Sequence, residues 1–449
     1  MNRERIAWLL SILLLTIAAF RSPGAAQRDS DYLFVRTLVD IHRQVLGNYV
    51  DPVDEKRLEQ AAIEGMLNQL DPFTNYVPPS QRDQFERMLE GTFKGVGVQL
   101  NQLPDGNWEV LTPIDGSPAF RAGVMAGDLI LAVNNEPVQG LRLQEVIKKI
   151  AGEAGTLVTL KVRHATGEEA TLTMKREEIV LPTIKGLDRN PDNSWNFWVN
   201  DDPRIAYIRL TQFTSSTSDV LKGVLNDLLK QGMRGLILDL RWNPGGHLEQ
   251  AVQVVDLFLE KGVIVKVAGR NRPQKVEYAK AEGTLPWFPI IVLVNEHSAS
   301  AAEIVAGSLL DNHRAAVLGE RTFGKGSVQE VMPLEGNNGE LKLTVAYYYL
   351  PSGRLVHRKK DAETWGVEPQ ILVPMDDETE ARVVRARDKN DLFHRPTTQP
   401  STRRASSITP TTQPADIQLQ RAVDTMILMT ILQTNPQTAI GPATQPSGQ

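Results

Sequence analysis

Residues Ile6 to Phe20 (IAWLLSILLLTIAAF) run without a charge, behind Arg3 and Arg5 and ahead of the small residues around Ala25 and Ala26. That layout predicts a secretory signal over residues 1–26, cleaved after Ala26. The apolar run is shorter than the roughly 20 residues a bilayer span prefers, so an uncleaved anchor through residues 6–20 is the lesser expectation. From 30 to 90 the spacing becomes helical, with Leu33, Leu38, Ile41 and Val45 and then Leu58, Ala62, Met66 and Leu70 each marking one face, and Asp71-Pro72 closing the second helix. Over 91–178 the apolar positions shorten into alternating runs punctuated by glycine, followed by a helix with Leu143, Val146, Ile147 and Ile150 on one side. Between 179 and 375 strand-like runs (206–210, 236–240, 289–294) alternate with amphipathic helices (220–229, 248–259, 301–310), the pattern of a layered α/β domain. A charged helix follows over 376–395. Residues 396–415, with TTQP at Thr397 and Thr411, read as a linker too polar to bury a core, and 433–449 as a disordered tail. Between them Leu419, Ala422, Val423, Met426 and Ile427 predict a helix over 416–432 that docks back onto the folded body, the alternative being a dimerisation or membrane-surface helix. The sum is a multidomain α+β chain.

Composition narrows the chemistry. The 449 residues carry a formal charge of −5 with no basic cluster, which gives nucleic acid no electrostatic footing. The chain has no cysteine, so disulfides, thiolate metal sites, cysteine nucleophiles and lipid attachment at a cysteine are excluded. HExxH is absent, and no metal or organic cofactor is expected.

Ser300, in VNEHSASAAEIVAG, sits where a buried strand hands over to a helix, which exposes the hydroxyl and aims helix N-terminal amides at whatever it attacks. A serine N-cap is the bland alternative. Downstream, GERTFGKGSVQ supplies Lys325 between two glycines and Gln329 four residues on. A lysine turned into a dry site loses its preference for the ammonium form and becomes able to take the serine's proton, with Gln329 within reach to orient it. Upstream, RWNPGG places Gly245 and Gly246 after another buried strand, where one of their amides together with that of Ala301 suits a tetrahedral oxyanion. Gly319 to Lys325 also fits GxxxxGK, but Gly326 replaces the hydroxyl residue of a phosphate loop and strands follow it. A triad using His247 with Asp239, or His297, lacks the GxSxG elbow. In the glycine-rich stretch, Gly95, Val96, Gly97 and Val98 precede a strand start, where free amides suit a carboxylate.

LDLRWNPGG, VNEHSASAAEI and GERTFGKGSVQ occur in an order and at a spacing that resemble the carboxyl-terminal processing peptidases, also called tail-specific proteases, and the likeness covers most of residues 32–375. It implies a crotonase/ClpP-like α/β protease core with an inserted PDZ domain over 91–178. It also implies Ser300 as nucleophile, Lys325 as general base, Gln329 as the residue that positions the lysine, and an oxyanion hole from Ala301 and one of Gly245 and Gly246. The PDZ segment would take substrate C-termini at residues 95–98 and gate the protease. Ala302 and Trp242 depart from the family's usual residues, the latter beside the substrate pocket. The expectation is an exported serine endopeptidase of the periplasm or cell envelope acting on protein or peptide tails. An adaptor or activator and self-association into a homo-oligomer are compatible with it. The rivals are a catalytically inactive PDZ scaffold and a crotonase-like acyl-thioester enzyme.

Overall fold

A computed structural model describes residues 23–82, 85, 92–201, 204–393 and 416–434. The chain divides into two units, residues 1–76 and 77–449. In the first, helices α1 (Pro23–Asn48) and α2 (Glu55–Leu67) precede a short strand β1 (Asn75–Val77). Asp54 caps α2 by accepting from Arg57 N–H at 3.2 Å. Asp71 closes the following turn by accepting from the amides of Phe73 and Thr74. The predicted signal falls mostly outside the described residues, and its last positions, from Pro23, begin α1. The helical spacing read over this stretch matches α1. Its residues Leu33, Leu38 and Ile41 are exposed.

In the second unit, β2 (Thr92–Gly95) pairs with β9 (Glu177–Val180) as a stalk at the two ends of a small domain. Between them β3 (Val98–Gln102), β4 (Trp108–Pro113), β5 (Leu129–Val133), β7 (Leu157–Arg163) and β8 (Glu169–Lys175) form an antiparallel sheet in that spatial order, with β6 (Glu136–Pro137) beside β5. A one-turn helix α3 (Pro118–Arg121) and α4 (Leu143–Ile150) cover it, burying Val146 and Ile150 against Val110, Leu160 and Val162. β3 is an edge strand.

The core domain alternates as the sequence predicts. After β10 (Ile184–Lys185), the ribbon β11 (Asp188–Arg189) and β12 (Trp195–Asn196), and β13 (Trp198–Asp201), the strands β14 (Arg204–Leu210), β15 (Gly235–Asp239), β18 (Ile290–Val294), β19 (Ala316–Gly319) and β22 (Ile371–Leu372) lie side by side in parallel. The helices α5 (Thr217–Lys230), α6 (Leu248–Asp256) and α7 (Ala301–Asp311) cover one face, where Ile208, Leu236, Leu238 and Val292 meet Leu225, Val254 and Val305. Because strand side chains alternate, the remaining residues point the other way. Ile205, Tyr207, Ile237, Ile291, Leu293 and Leu318 form a second apolar face, and Ala422, Val423 and Met426 of the last helix α9 (Ile417–Thr434) cover it. The sheet is thus buried on both sides, as parallel sheets require. A second sheet, β20 (Ser327–Pro333), β21 (Glu340–Tyr349), β16 (Val263–Gly269) and β17 (Arg272–Tyr278), stands beside it in antiparallel order.

The helix α8 (Asp377–Asp391) ends at the join between the small domain and the core. There Phe393 stacks on Phe120 at 5.2 Å between ring centres, and Arg189 pairs with Asp115 at 2.9 Å.

Candidate active site

Strand β18 delivers Ser300 to the N-terminus of α7 through Asn295–Ala299. Ser300 has φ 56° and ψ −117°, a region that penalises a side chain, by about 1–3 kcal/mol. The surrounding bonds enforce it. Ser298 Oγ donates to Leu240 O at 2.8 Å, Ala299 N–H donates to Asn243 O at 2.9 Å, and Phe323 N–H donates to Ser298 O at 3.0 Å.

Glu303, one turn into α7 and fully buried, joins this turn to the lysine loop. Its Oε2 accepts from both Ser300 N–H and Lys325 N–H, each at 2.8 Å, and its Oε1 accepts from Gly324 N–H at 2.7 Å and Thr322 Oγ1 at 2.5 Å. The backbones of the nucleophile candidate and the lysine therefore share one carboxylate oxygen. Burial pushes the Glu303 carboxyl up to about 7, the four hydrogen bonds only partly offsetting it. Tyr348, buried on β21, adds a second tie by donating to Ser300 O at 3.0 Å and to Lys325 O.

Lys325 is half-buried. Burial, then the charge of Lys342 on β21, lowers its pKa, with Glu303 opposing. Both leading causes favour the neutral amine that a base must be. Gln329 Nε2 donates to Ser327 Oγ at 2.8 Å and Thr344 Oγ1 at 3.3 Å, which locks the amide plane and leaves the carbonyl oxygen as the atom able to accept from an amine.

The RWNPGG loop packs directly on Ser300. A Cβ placed on Gly245, whose φ is +97°, would stand 2.7 Å from Ser300 Cβ and 2.9 Å from Ala301 N. The two glycines differ in their amides. Gly245 N–H donates to Asn243 Oδ1 at 2.8 Å, whereas neither Gly246 N–H nor Ala301 N–H has a protein acceptor among the described residues. Trp242, beside the oxyanion loop, has φ 58°. Its indole donates to Glu380 Oε1 of α8 at 2.7 Å, and the Arg387 guanidinium lies 4.3 Å from the ring centre.

No histidine triad forms among the described residues. The Asp239 carboxylate, which an imidazole would need, is buried against Arg241, Arg387 and the Tyr207 hydroxyl. Burial alone would raise its pKa, but the two guanidiniums hold it well below the usual carboxylate range. His297 faces Glu296 and Glu380.

In the small domain, Gly97 has φ +77°, and its carbonyl accepts from Ile114 N–H at 2.9 Å and Ser117 Oγ at 3.1 Å. The amides of Val96 and Gly97 have no protein acceptor among the described residues. Two consecutive N–H groups without protein acceptors among the described residues thus precede edge strand β3. Leu143 and Ile147 of α4 remain exposed.

A strained serine at a helix N-terminus, tied to a lysine and faced by open amides, together with a small sheet domain of this design, defines a serine-type peptidase carrying a PDZ domain. Comparison with known proteins agrees: the pattern of peptidase family S41 matches residues 204–373, and that of a PDZ domain residues 109–164. A carboxy-terminal-processing protease of Bartonella bacilliformis is 37% identical over 340 residues, 74% of each chain. The carboxy-terminal processing protease CtpA of Bacillus subtilis is 34% identical over 338 residues, 75% of this chain and 68% of that one. Among solved structures, the photosystem II D1 C-terminal processing protease is 30% identical with a TM-score of 0.43, over 79% of this chain and 92% of that one. The chain belongs to the carboxy-terminal processing proteases of peptidase family S41.

Proposed function

We propose that this peptidase is exported and cuts proteins near their C-termini through a Ser300/Lys325 dyad, with its PDZ domain holding the substrate's tail. The observation that carries this reading is the shared Glu303 oxygen, which binds the serine and lysine backbones into one unit. Neutral Lys325 takes the Ser300 proton as Oγ attacks the scissile carbonyl. The Gly246 and Ala301 amides receive the oxyanion, each donor worth roughly 3–4 kcal/mol to the transition state. The lysine then returns the proton to the leaving amine, and water, activated the same way, hydrolyses the acyl-enzyme. Gln329 orients the amine through its carbonyl oxygen. In the PDZ domain a tail adds to the edge of β3, its carboxylate on the Val96 and Gly97 amides and its apolar side chains against Leu143 and Ile147. Export rests on the charged, apolar and small-residue segments of residues 1–26.

The test uses the chain from Gln27 onward and its Ser300→Ala and Lys325→Ala variants. Each is incubated with an unstructured protein ending in apolar residues and with a copy ending in charged ones, and the fragments are weighed. Cleavage of the apolar-ended protein alone is expected, with kcat reduced at least on the order of 10⁴-fold in either variant. Substantial activity in Lys325→Ala would remove the lysine from its role. Binding of the apolar tail by all three proteins without cleavage would make the chain a scaffold. Fractionation of expressing cells, with and without residues 1–26, checks export.

A further inference from the structure

Arg241 immediately precedes the strained Trp242, and its side chain is wholly buried. Asp239, two residues before it, accepts from its backbone N–H at 2.9 Å and from Nε and Nη2. The other end of the guanidinium is held from much further along the chain. Asp416 accepts from Nη1 at 2.8 Å and from Nη2 at 2.7 Å, and Gln418 Oε1 accepts from Nη1 at 3.0 Å. Every acceptor of Nη1 among the described residues thus comes from the C-terminal segment. Asp416 is held in place in turn, since its Oδ1 accepts from Leu419 N–H at 3.0 Å at the start of α9, while Gln418 Nε2 donates to Val373 O at 2.8 Å.

We propose that Asp416 is a positioning residue for peptide hydrolysis, fixing through Arg241 the loop Trp242–Gly246 that faces Ser300. The proposal rests on reading Ser300 as the nucleophile and this loop as the oxyanion site. Charge balance is one reason. Asp239, Asp416, Arg241 and Arg387 make a buried knot of two carboxylates and two guanidiniums, and losing Asp416 leaves one cation uncompensated. Relay geometry is the other. A shift of Arg241 moves Trp242, and after it Asn243, whose carbonyl holds Ala299 N–H and whose Oδ1 holds Gly245 against Ser300. The attachment of α9 does not depend on Asp416, because Ala422, Val423 and Met426 dock the helix on the sheet.

The experiment compares full-length wild type with Asp416→Ala, Asp416→Asn and, as a control on the same helix, the exposed Asp424→Ala. Steady-state kinetics on the apolar-ended substrate are measured together with thermal unfolding and amide hydrogen exchange over residues 241–247 and 417–434. For Asp416→Ala the expected result is a fall in kcat of roughly 100-fold, the scale of a misplaced reacting group. KM should stay near the wild-type value, and exchange should quicken over 241–247 while 417–434 stays protected. Asp416→Asn should fall between, and Asp424→Ala should match wild type. Unchanged kcat and unchanged loop exchange in Asp416→Ala would overturn the proposal, as would a loss of activity that comes with exchange throughout 417–434, which would mean the helix had come off. If wild type itself fails to hydrolyse the substrate, the proposed function fails, while the exchange of 241–247 still reports whether Asp416 fixes the loop.

Discussion

Glu303 holds two amides from distant turns on one oxygen while burial favours its neutral form, and this combination has a measurable signature. Its carboxyl is raised from the ordinary 4.5 to about 7 in the folded chain. The folded protein therefore binds more protons than the unfolded one between those values, so the stability Glu303 contributes is complete below about 4.5 and is lost as pH rises through about 7. Glu303→Gln should remove that slope. The difference in unfolding free energy between wild type and variant, followed by denaturant titration from pH 4.5 to 7.5, should change by on the order of 3 kcal/mol. A second residue-scale expectation concerns Lys342, whose charge helps lower the pKa of Lys325. Lys342→Met should move the acid limb of the kcat/KM profile to higher pH, as a stopped assay across pH 5 to 10 would show. The sequence singles out Ser300 by its place between a buried strand and a helix, and Lys325 by its two glycine neighbours. Glu303 is not singled out, although it lies in the Ser300 motif: an acid three residues after a serine reads as half of a capping box, and only the fold brings Gly324 and Lys325 to its other bonds. Lys342 was hidden in the same way, since a lysine in a strand looks like a solvated side chain.

Among the elements, the parallel strands were the most readable, because a run apolar on both faces has few other fates. The sequence also pointed to α9 through its single apolar stripe, and the structure shows what that stripe covers. Met426 is fully buried against the strands, and a Cβ on Gly235 would lie 2.6 Å from its sulfur, so that glycine makes room for it. Met426→Ala should cost about 2–5 kcal/mol, read as a drop in the unfolding midpoint at constant m-value. The helix α1 shows the limit of such a reading: its apolar residues recur at helical spacing, but periodicity identifies a face without identifying a partner, and Leu33 and Ile41 are exposed. The partner of Trp242 was out of reach of any local pattern: α8, 138 residues downstream at Glu380, claims the indole.

For the whole molecule, the PDZ domain and the core are joined through Phe120, Phe393, Asp115 and Arg189, residues that no local pattern singled out. On the proposed function, tail recognition and hydrolysis are separable, and Gly97 offers the means. Its φ is positive, and a Cβ there would stand 2.3 Å from Ser117 Cβ, which leaves no space for a side chain. Gly97→Val should abolish discrimination between apolar and charged tails in a competition assay while kcat on a short internal peptide stays near wild type.

The double-sided sheet also has a consequence in time. A chain is made from its N-terminus, so Ser300 and Lys325 are synthesised more than a hundred residues before Met426. Until then one face of the central sheet has no cover and Arg241 lacks half of its acceptors. The order of residues along the chain thus leaves the central sheet and the Arg241 knot incomplete until residues 416–426 have been made.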